Sequence, residues 1–295
     1  IDDMNQNVRH LQYAVRGPLP MRAAQIEKEI KSNENHNKPF NCVIRGNIGD
    51  CHAMGQKPLT YFRQTLAGCL DPQSTMLNPD IPSDVKQRVK LLLENCQGCS
   101  VGSYSDSAGI EYIRHHVAEY IKERDGYDSD WQNVVLTTGA SDGARSVLSL
   151  INSGSTDGIP TGVMVPIPQY PLYSASICEF GMHLISYYLD EDNQWALDIN
   201  ELQRALNESK SSCRPKAIVV INPGNPTGSV LTRENIVDII KFAKENRLII
   251  IADEVYQHNI WAEGAKFYSF KKVMNEIGVQ TELASLMSAS KGKND

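Results

Sequence analysis

Lys291 and Asp253 are side chains whose types and settings could do chemistry on a small ligand. Lys291 follows two serines in residues 288–292 (SASKG), and an amine that is partly desolvated in a crowded site loses basicity and becomes a nucleophile. Asp253 stands where the apolar residues 249–252 (IIIA) end, and a buried carboxylate is costly unless a cation, such as a protonated heterocyclic nitrogen, pairs with it. Each residue also has an ordinary interpretation, a solvated surface lysine and an aspartate that caps the next turn.

Asn225 and Tyr256 could add hydrogen bonds to the same ligand. Asn225 lies in residues 222–228 (NPGNPTG), where two prolines and two glycines fix a rigid turn. Tyr256 comes three residues after Asp253, so its hydroxyl could reach the group that the carboxylate holds. The alternative for the first segment is a tight strand-to-helix connection whose asparagine bonds only its own backbone.

A glycine turn at residues 138–143 (TGASDG) is suited to an anion, because glycine lets the backbone approach a ligand and the following helix offers N–H groups to a phosphate. An ordinary helix cap by Ser141 or Asp142 is the alternative. The sequence contains neither GxxxxGK[ST] nor GxGxxG, which argues against nucleotide hydrolysis and hydride transfer. Together the four segments suit a ligand with a phosphate, a phenolic oxygen, a ring nitrogen and an aldehyde, and pyridoxal 5′-phosphate has all four groups.

Composition argues against several classes of protein. The 295 residues carry 29 basic and 35 acidic side chains, a net charge of −6, so a strongly basic nucleic-acid clamp is not expected. Hydrophobic residues make up 41%, enough for a sizeable core, and no run of about 18 apolar residues predicts a membrane span. The seven cysteines are odd in number and dispersed, which predicts reduced thiols in an intracellular protein. Cys96 and Cys99 form a lone CxxC, which by itself gives little support for zinc binding or redox chemistry.

The order of apolar and polar segments predicts an α/β fold. From residue 133 onward short apolar strands alternate with helices, a pattern typical of a mostly parallel sheet covered on both faces. Ligands of such a sheet lie at the carboxyl ends of its strands. Strands are expected at residues 43–45, 133–137, 162–165, 183–188, 217–221 and 248–252, and helices at residues 21–30, 59–70, 83–95, 109–124, 141–151, 173–180, 199–206 and 233–246.

The order of the four segments resembles that of the fold-type I aminotransferases, and further strings are similar to the alanine aminotransferase family among them. The likeness extends over nearly the whole chain, to about Gly292. It implies the pyridoxal-phosphate-binding large domain of that fold, incomplete, at residues 59–295, preceded at residues 1–58 by an amino-terminal arm and part of a small domain. The strings are residues 13–18 (YAVRGP), 47–50 (NIGD), 53–56 (AMGQ), 168–173 (PQYPLY) and 253–257 (DEVYQ).

The resemblance also implies a role for each matching residue. Lys291 would hold pyridoxal 5′-phosphate as a Schiff base, and Asp253 would pair with the pyridinium nitrogen and keep the ring an electron sink. Tyr170 would stack on the ring, and Gly49 would lie near the substrate carboxylate. The remaining expected contacts are Asn225 and Tyr256 with the phenolic oxygen, Ala140, Ser141, Asp142, Ser288 and Ser290 with the phosphate, and Tyr104 with the phosphate of the partner subunit, which implies a homodimer.

The activity that the resemblance implies is transfer of the amino group of L-alanine to 2-oxoglutarate, giving pyruvate and L-glutamate by a ping-pong route. Lys291, displaced from the cofactor by the substrate amine, would act as general base on the α-proton. An aromatic or kynurenine aminotransferase would share the segments around Lys291 and Asp253 but is expected to lack the amino-terminal strings. No metal, nucleic acid or membrane partner is expected, and the cytoplasm is the expected compartment, with the mitochondrial matrix as an alternative.

The family continues beyond SASKG with a glycine-rich stretch that holds an arginine for the phosphate, and it carries a later arginine for the substrate carboxylate. This sequence ends four residues after Lys291, so the resemblance predicts a chain truncated at its carboxyl end. A sheet without its later strands would expose an unpaired edge, and the chain alone is expected to be inactive or poorly folded. A non-catalytic fragment that binds a full-length subunit is therefore a further alternative.

Overall fold

The computed structural model describes residues 3–32, 37–154 and 158–291. Gly292, the last residue of the predicted segment 288–292, and the three residues after it lie outside the described residues. The chain divides into two compact units, one formed by Ile1–Val43 with Thr138–Asp295 and the other by Ile44–Thr137. These bounds differ from the predicted division after residue 58. That division separates an arm and part of a small domain from the cofactor-binding large domain, and it stays a prediction.

A five-stranded sheet forms the centre of the first unit. Every neighbouring pair of its strands is parallel, which confirms the predicted α/β fold with a mostly parallel sheet. The strands are β1 (Thr161–Ile167), β2 (His183–Tyr188), β3 (Arg214–Ile221), β4 (Ile249–Asp253) and β5 (Leu283–Leu286), in the spatial order β2-β1-β3-β4-β5.

The eight predicted helices are present, with bounds that differ by three residues at most. The helices are α1 (Gln6–His10), α2 (Pro18–Ser32), α3 (Thr60–Leu70), α4 (Pro72–Leu77), α5 (Ser83–Glu94), α6 (Glu111–Asp125), α7 (Ala140–Ile151), α8 (Leu172–Glu179), α9 (Ile199–Ser209), α10 (Arg233–Glu245) and α11 (Phe270–Ile277). Among the described helices, none is both long and apolar enough to cross a lipid bilayer.

Helices cover the two faces of the sheet with separate apolar clusters. On one face, Ile236, Ile239 and Ile240 of α10 recur at the spacing of one helix side and are fully buried. On the other face, Ala144 and Leu148 of α7 pack against the central strands. Because β1, β3 and β4 are apolar on both faces, the polar residues of these chain segments are concentrated where the strands end.

Two predicted strands are wrong. Residues 43–45 and 134–137 form no strand, and Asn133 belongs to a short helical turn. A strand needs a neighbouring strand to receive its hydrogen bonds, and here Leu136 N donates to the carbonyl oxygen of Ala108, an isolated contact, at 2.9 Å. The glycine turn at residues 138–143 therefore does not follow a strand as expected. Four further elements, α1, α4, α11 and β5, were not predicted from the sequence.

The second unit has its own small apolar cluster. Val85, Val89 and Leu93 of α5 are buried at four-residue spacing and pack with Cys69 of α3. Within the part of the chain that the structure describes, no group of three or more histidine, cysteine, aspartate or glutamate side chains is arranged to hold a metal ion.

Gly162 in β1 is a position where one added methyl group should destabilise the fold. A Cβ there would meet Sγ of Cys213 and lie 2.9 Å from Cδ1 of Ile185, and both side chains are buried. We expect Gly162→Ala to lower the free energy of unfolding in urea by about 1–3 kcal/mol, because the packed core cannot move aside. Gly46→Ala is the matched control, since nothing lies within 4 Å of its Cβ position. Equal stability of the two variants would contradict this account of the β1 packing.

Candidate active site

The carboxyl ends of β3 and β4 bring Asn225, Asp253 and Tyr256 into one region. Asp253 is the last residue of β4 and pairs with Ile221 at the end of β3. Asn225 lies in the connection from β3 to α10, and its Nδ2 donates a hydrogen bond to the hydroxyl oxygen of Tyr256 at 3.3 Å. The alternative in which this asparagine bonds only its own backbone is therefore wrong.

The carboxylate of Asp253 is buried without full electrostatic compensation. The residue is 5% exposed, and its Oδ2 accepts a hydrogen bond from the hydroxyl of Tyr173 at 2.7 Å. A longer bond of 3.4 Å from the N–H of Val255 to Oδ1 is the turn contact of the ordinary interpretation. Burial raises the pKa of Asp253 above its usual value, while these bonds and the charge of Lys291 oppose the rise without cancelling it. The site therefore favours a cation beside this carboxylate.

Tyr173 is a site residue that the sequence analysis missed. It lies in the first turn of α8, its side chain is fully buried, and burial together with Asp253 raises the pKa of its hydroxyl well above the usual value. The hydroxyl therefore keeps its proton at ordinary pH and donates a hydrogen bond to Asp253. Its signal in the sequence was its place in the string PQYPLY at residues 168–173, but the string does not reveal that the side chain turns toward a strand 80 residues later.

Lys291 lies on the same side of the unit as Asp253. Its Nζ is 5.7 Å from the centre of the ring of Tyr256, and its charge acts on the pKa of Asp253. The residue is exposed in a short helical turn, Ala289–Lys291, so the expected desolvation is absent among the described residues. Ser288 and Ser290, the two serines before it, join their hydroxyl groups in a 2.9 Å hydrogen bond.

The amino terminus of α7 presents Ala140, Ser141 and Asp142. Gly139 precedes them at φ 80°, a conformation that glycine adopts without strain, and supplies no side-chain cap. Oδ2 of Asp142 accepts a hydrogen bond from the backbone N–H of Thr138 at 3.2 Å, and Ser141 and Asp142 are exposed. Because α7 packs against β5, its first turn belongs to the same unit as the serines that follow β5.

Tyr170 is tied to the amino-terminal segment. The hydroxyl of Tyr13 donates a hydrogen bond to that of Tyr170 at 2.8 Å, and the two rings meet edge to face with centres 6.4 Å apart. Burial and this bond raise the pKa of Tyr13 to about 12. Burial, then Asp253, then Tyr170 raise the pKa of Tyr256, so the hydroxyl of Tyr170 acts electrostatically on the group formed with Asn225. Tyr13 was part of a recognised string but was not predicted as a site residue.

Gly49 and Tyr104, the remaining predicted residues, belong to the second unit. Both are exposed, and the side chain of Tyr104 is 96% exposed. Their expected contacts with a substrate carboxylate and with a partner's phosphate stay predictions.

Comparison of the sequence with known protein families identifies the family of this chain. Residues 75–294 match the family described as aminotransferase class I and II. The chain belongs to this family. Among curated relatives of this chain, alanine aminotransferase 1 of Bos taurus is 52% identical over 298 residues and that of Homo sapiens 52% over 297 residues. Glutamate–glyoxylate aminotransferase 1 of Arabidopsis thaliana is 42% identical over 302 residues. Each alignment covers 99% of this chain and 59% of the relative, so the chain spans less than two thirds of the length of these relatives.

Solved aminotransferase structures share the fold. An alanine aminotransferase from Pyrococcus furiosus superposes with a TM-score of 0.73 at 21% identity, covering 97% of this chain and 59% of that one. An aminotransferase from Escherichia coli gives a TM-score of 0.70 at 23% identity, covering 97% and 58%. These likenesses confirm the parallel α/β architecture of the chain.

Proposed function

We propose that this chain acts in transamination of L-alanine with 2-oxoglutarate, giving pyruvate and L-glutamate with pyridoxal 5′-phosphate as cofactor. The observation that carries the proposal is the convergence of Asp253, Asn225, Tyr256 and Lys291 in one unit. The names of the relatives at 52% identity favour alanine, and the lower 42% identity to the glutamate–glyoxylate enzyme makes glyoxylate the less favoured acceptor.

The residues present fit pyridoxal 5′-phosphate. The buried carboxylate of Asp253, with its raised pKa, suits a protonated pyridine nitrogen because that cation would supply the missing compensation. The hydroxyl of Tyr256 and the amide of Asn225 are already held side by side for a phenolic oxygen. When bound, this cofactor supplies an electron sink for the α-carbon of an amino acid.

Each remaining residue has a proposed task. Lys291 would hold the cofactor covalently through Nζ and then carry the proton from the α-carbon, and Tyr170 would cover the ring. Gly49 would lie near the substrate carboxylate. The phosphate would be held by the backbone and side chains of Ala140, Ser141, Asp142, Ser288 and Ser290, and across a homodimer by Tyr104. The compartment, cytoplasm or mitochondrial matrix, stays a prediction.

A single-turnover experiment tests the proposal. The purified chain is loaded with pyridoxal 5′-phosphate, freed of excess cofactor and mixed with L-alanine, L-kynurenine or L-phenylalanine, and the oxo acid released is measured. Contrary to the expectation that the chain alone is inactive, the site described here predicts pyruvate in an amount equal to the bound cofactor, formed at least about tenfold faster than the aromatic oxo acids. A loaded chain that releases no pyruvate would instead support the expectation of an inactive chain. A faster reaction with L-kynurenine or L-phenylalanine would assign the aromatic type instead. If the chain does not bind the cofactor but associates with a full-length alanine aminotransferase, the result would support the non-catalytic alternative.

Tyr173→Phe should weaken cofactor binding without unfolding the chain. The variant removes a 2.7 Å hydrogen bond that stabilises the charged form of the buried Asp253 carboxylate. The carboxylate should therefore bind a cationic ring nitrogen less tightly. We expect about a tenfold rise in the dissociation constant of pyridoxal 5′-phosphate, measured by fluorescence titration. Tyr187→Phe is the matched control, since that buried hydroxyl donates instead to the carbonyl oxygen of Val219 at 2.8 Å. Equal cofactor affinity in the two variants would remove Tyr173 from the site.

A further inference from the structure

Cys96 and Cys99, in the second unit, lie in a turn that the proposed function does not use. The turn follows α5, and the N–H of Cys99 donates a hydrogen bond to the carbonyl oxygen of Cys96 at 3.0 Å. A four-residue turn closed in this way holds its end Cα atoms within about 7 Å. Since disulfides span Cα distances of about 4.4–6.8 Å, the backbone already holds the two cysteines near bonding range.

The backbone conformation of the turn is specific. Gly98 has φ 61° and Cys99 has φ 51°, both in the left-handed region. Only glycine adopts that region freely, so the residue between the cysteines permits the tight return of the chain, and Cys99 is held in a conformation uncommon for its type. The fold, and not the CxxC spacing alone, brings the two residues together.

The two thiols differ in access, which suggests different roles. Cys99 is exposed, whereas Cys96 is half-buried and lines an open groove of about 840 Å³ together with Gln97, Ser100 and Tyr104. All seven cysteines are free thiols, and within the described residues no cysteine group is arranged for a metal. A groove of this size can admit a small thiol or disulfide molecule beside Cys96.

A third thiol, Cys69 of α3, lies near Cys96 but is a poorer reactant. It is buried in the apolar cluster of the second unit. Burial raises its pKa, and the neighbouring Cys96 raises it further, so less of the reactive thiolate is present. A disulfide between Cys96 and Cys99 is therefore favoured over one between Cys69 and Cys96.

We propose that Cys96 and Cys99 form a reversible dithiol–disulfide site that exchanges with low-molecular-weight disulfides. The thiolate of Cys99 attacks one sulfur of the small disulfide RSSR, which forms a mixed disulfide and releases one thiol RSH after protonation. The thiolate of Cys96 then attacks Sγ of Cys99 and releases the second RSH. The protein loses two hydrogens and two electrons, which reduce RSSR to two RSH. The site does not depend on the proposed transamination, so either can fail without the other.

The bond should act locally. It closes a loop of only four residues, so it removes less entropy from the unfolded chain than a long-range disulfide and should raise the Tm by only a few degrees. Exposed disulfides of this kind are more easily reduced than buried structural ones, which suits a site that follows the redox state of its surroundings.

Oxidised glutathione is the probe for the test. The native chain is incubated with defined ratios of oxidised to reduced glutathione, alkylated, digested with trypsin and analysed by mass spectrometry. Both cysteines lie in one tryptic peptide, residues 91–114, while Cys69 lies in another, residues 64–86. We expect peptide 91–114 to lose two hydrogens and resist alkylation. Cys96→Ser should instead trap one glutathionyl group on Cys99, and Cys51→Ser, an exposed cysteine outside the turn, should behave as the unmodified chain.

A comparison of the native chain with the denatured chain shows whether the fold, and not only the short distance in sequence, favours the disulfide between Cys96 and Cys99. The equilibrium constant for the bond against glutathione should be about tenfold larger in the native chain than in urea, because a turn that is already closed loses less entropy. Equal constants, two alkylated cysteines in the oxidised native chain, or a bond that joins peptides 64–86 and 91–114 would each overturn the proposal.

Discussion

Lys291→Ala is expected to abolish covalent capture of pyridoxal 5′-phosphate and to lower the rate of transamination by at least about 10³-fold. The reason is that one nitrogen would perform two tasks, holding the cofactor and moving the α-proton. Nζ of Lys291 lies beside the ring of Tyr256, at 5.7 Å from its centre, and within electrostatic reach of Asp253. The measurement is reduction of the loaded chain with borohydride, which makes the linkage permanent, followed by peptide mass analysis to locate the cofactor on residue 291.

Lys266→Ala is the matched control for this experiment. Lys266 also places its Nζ near a tyrosine ring, at 5.4 Å from the centre of Tyr268, but it is not one of the residues around Asp253. We expect this variant to retain cofactor capture and rate. A label that survives in Lys291→Ala, or that maps to another lysine, would contradict the assignment of Lys291.

The sequence predicted that Asp253 and Asn225 lie in one region, and the reason is physical. Asp253 and Asn225 each follow a buried strand, and neighbouring parallel strands place their carboxyl ends at one edge of the sheet. Strand β4 is recognisable because its apolar residues are buried on both faces. The proximity of these two side chains therefore follows from local patterns that the sequence displays.

The failures concern features that depend on partners distant in sequence. Residues 134–137 have strand composition, yet a strand forms only where a neighbour accepts its hydrogen bonds, and no local pattern reveals whether one is present. Tyr13 and Tyr170 are 157 residues apart and Tyr173 and Asp253 are 80 apart, so their hydrogen bonds could not be read from spacing. A buried tyrosine hydroxyl needs a partner, but its identity comes only from the fold.

Asp253→Asn should have two effects of opposite direction. Without the negative charge beside the ring nitrogen, the cofactor loses its electron-sink character, and we expect the rate of transamination to fall by at least about 10²-fold. The cofactor-free chain, in contrast, should become more stable at neutral pH. The variant removes a buried charge whose compensation is incomplete, while the amide can still exchange hydrogen bonds with Tyr173 and Val255.

The pH dependence of this gain follows from the direction of the pKa shift. The folded chain binds the proton of Asp253 more tightly than the unfolded chain, because burial raises the pKa of that carboxyl in the folded state. The contribution of the residue to stability is therefore fully present below the unfolded pKa, about 3.9, and is lost as the pH rises through the higher folded value. The Tm of Asp253→Asn should thus equal that of the unmodified chain at low pH and exceed it increasingly above about pH 4.

Asp125→Asn provides the matched control, because Asp125 is equally buried but already paired. The guanidinium of Arg124 contacts it through Nη2 at 2.7 Å, so loss of the carboxylate removes this salt bridge and should lower the Tm at neutral pH. The Tm should fall in Asp125→Asn and rise in Asp253→Asn. These opposite changes distinguish a carboxylate paired with a cation of the chain from one whose charge is only partly compensated. Added pyridoxal 5′-phosphate should then raise the Tm of the unmodified chain and of Asp125→Asn, with a much smaller rise for Asp253→Asn. A lower Tm for Asp253→Asn without cofactor would show that the carboxylate of Asp253 is satisfied by Tyr173 and Lys291 alone, and the argument for a cationic ring beside it would fail.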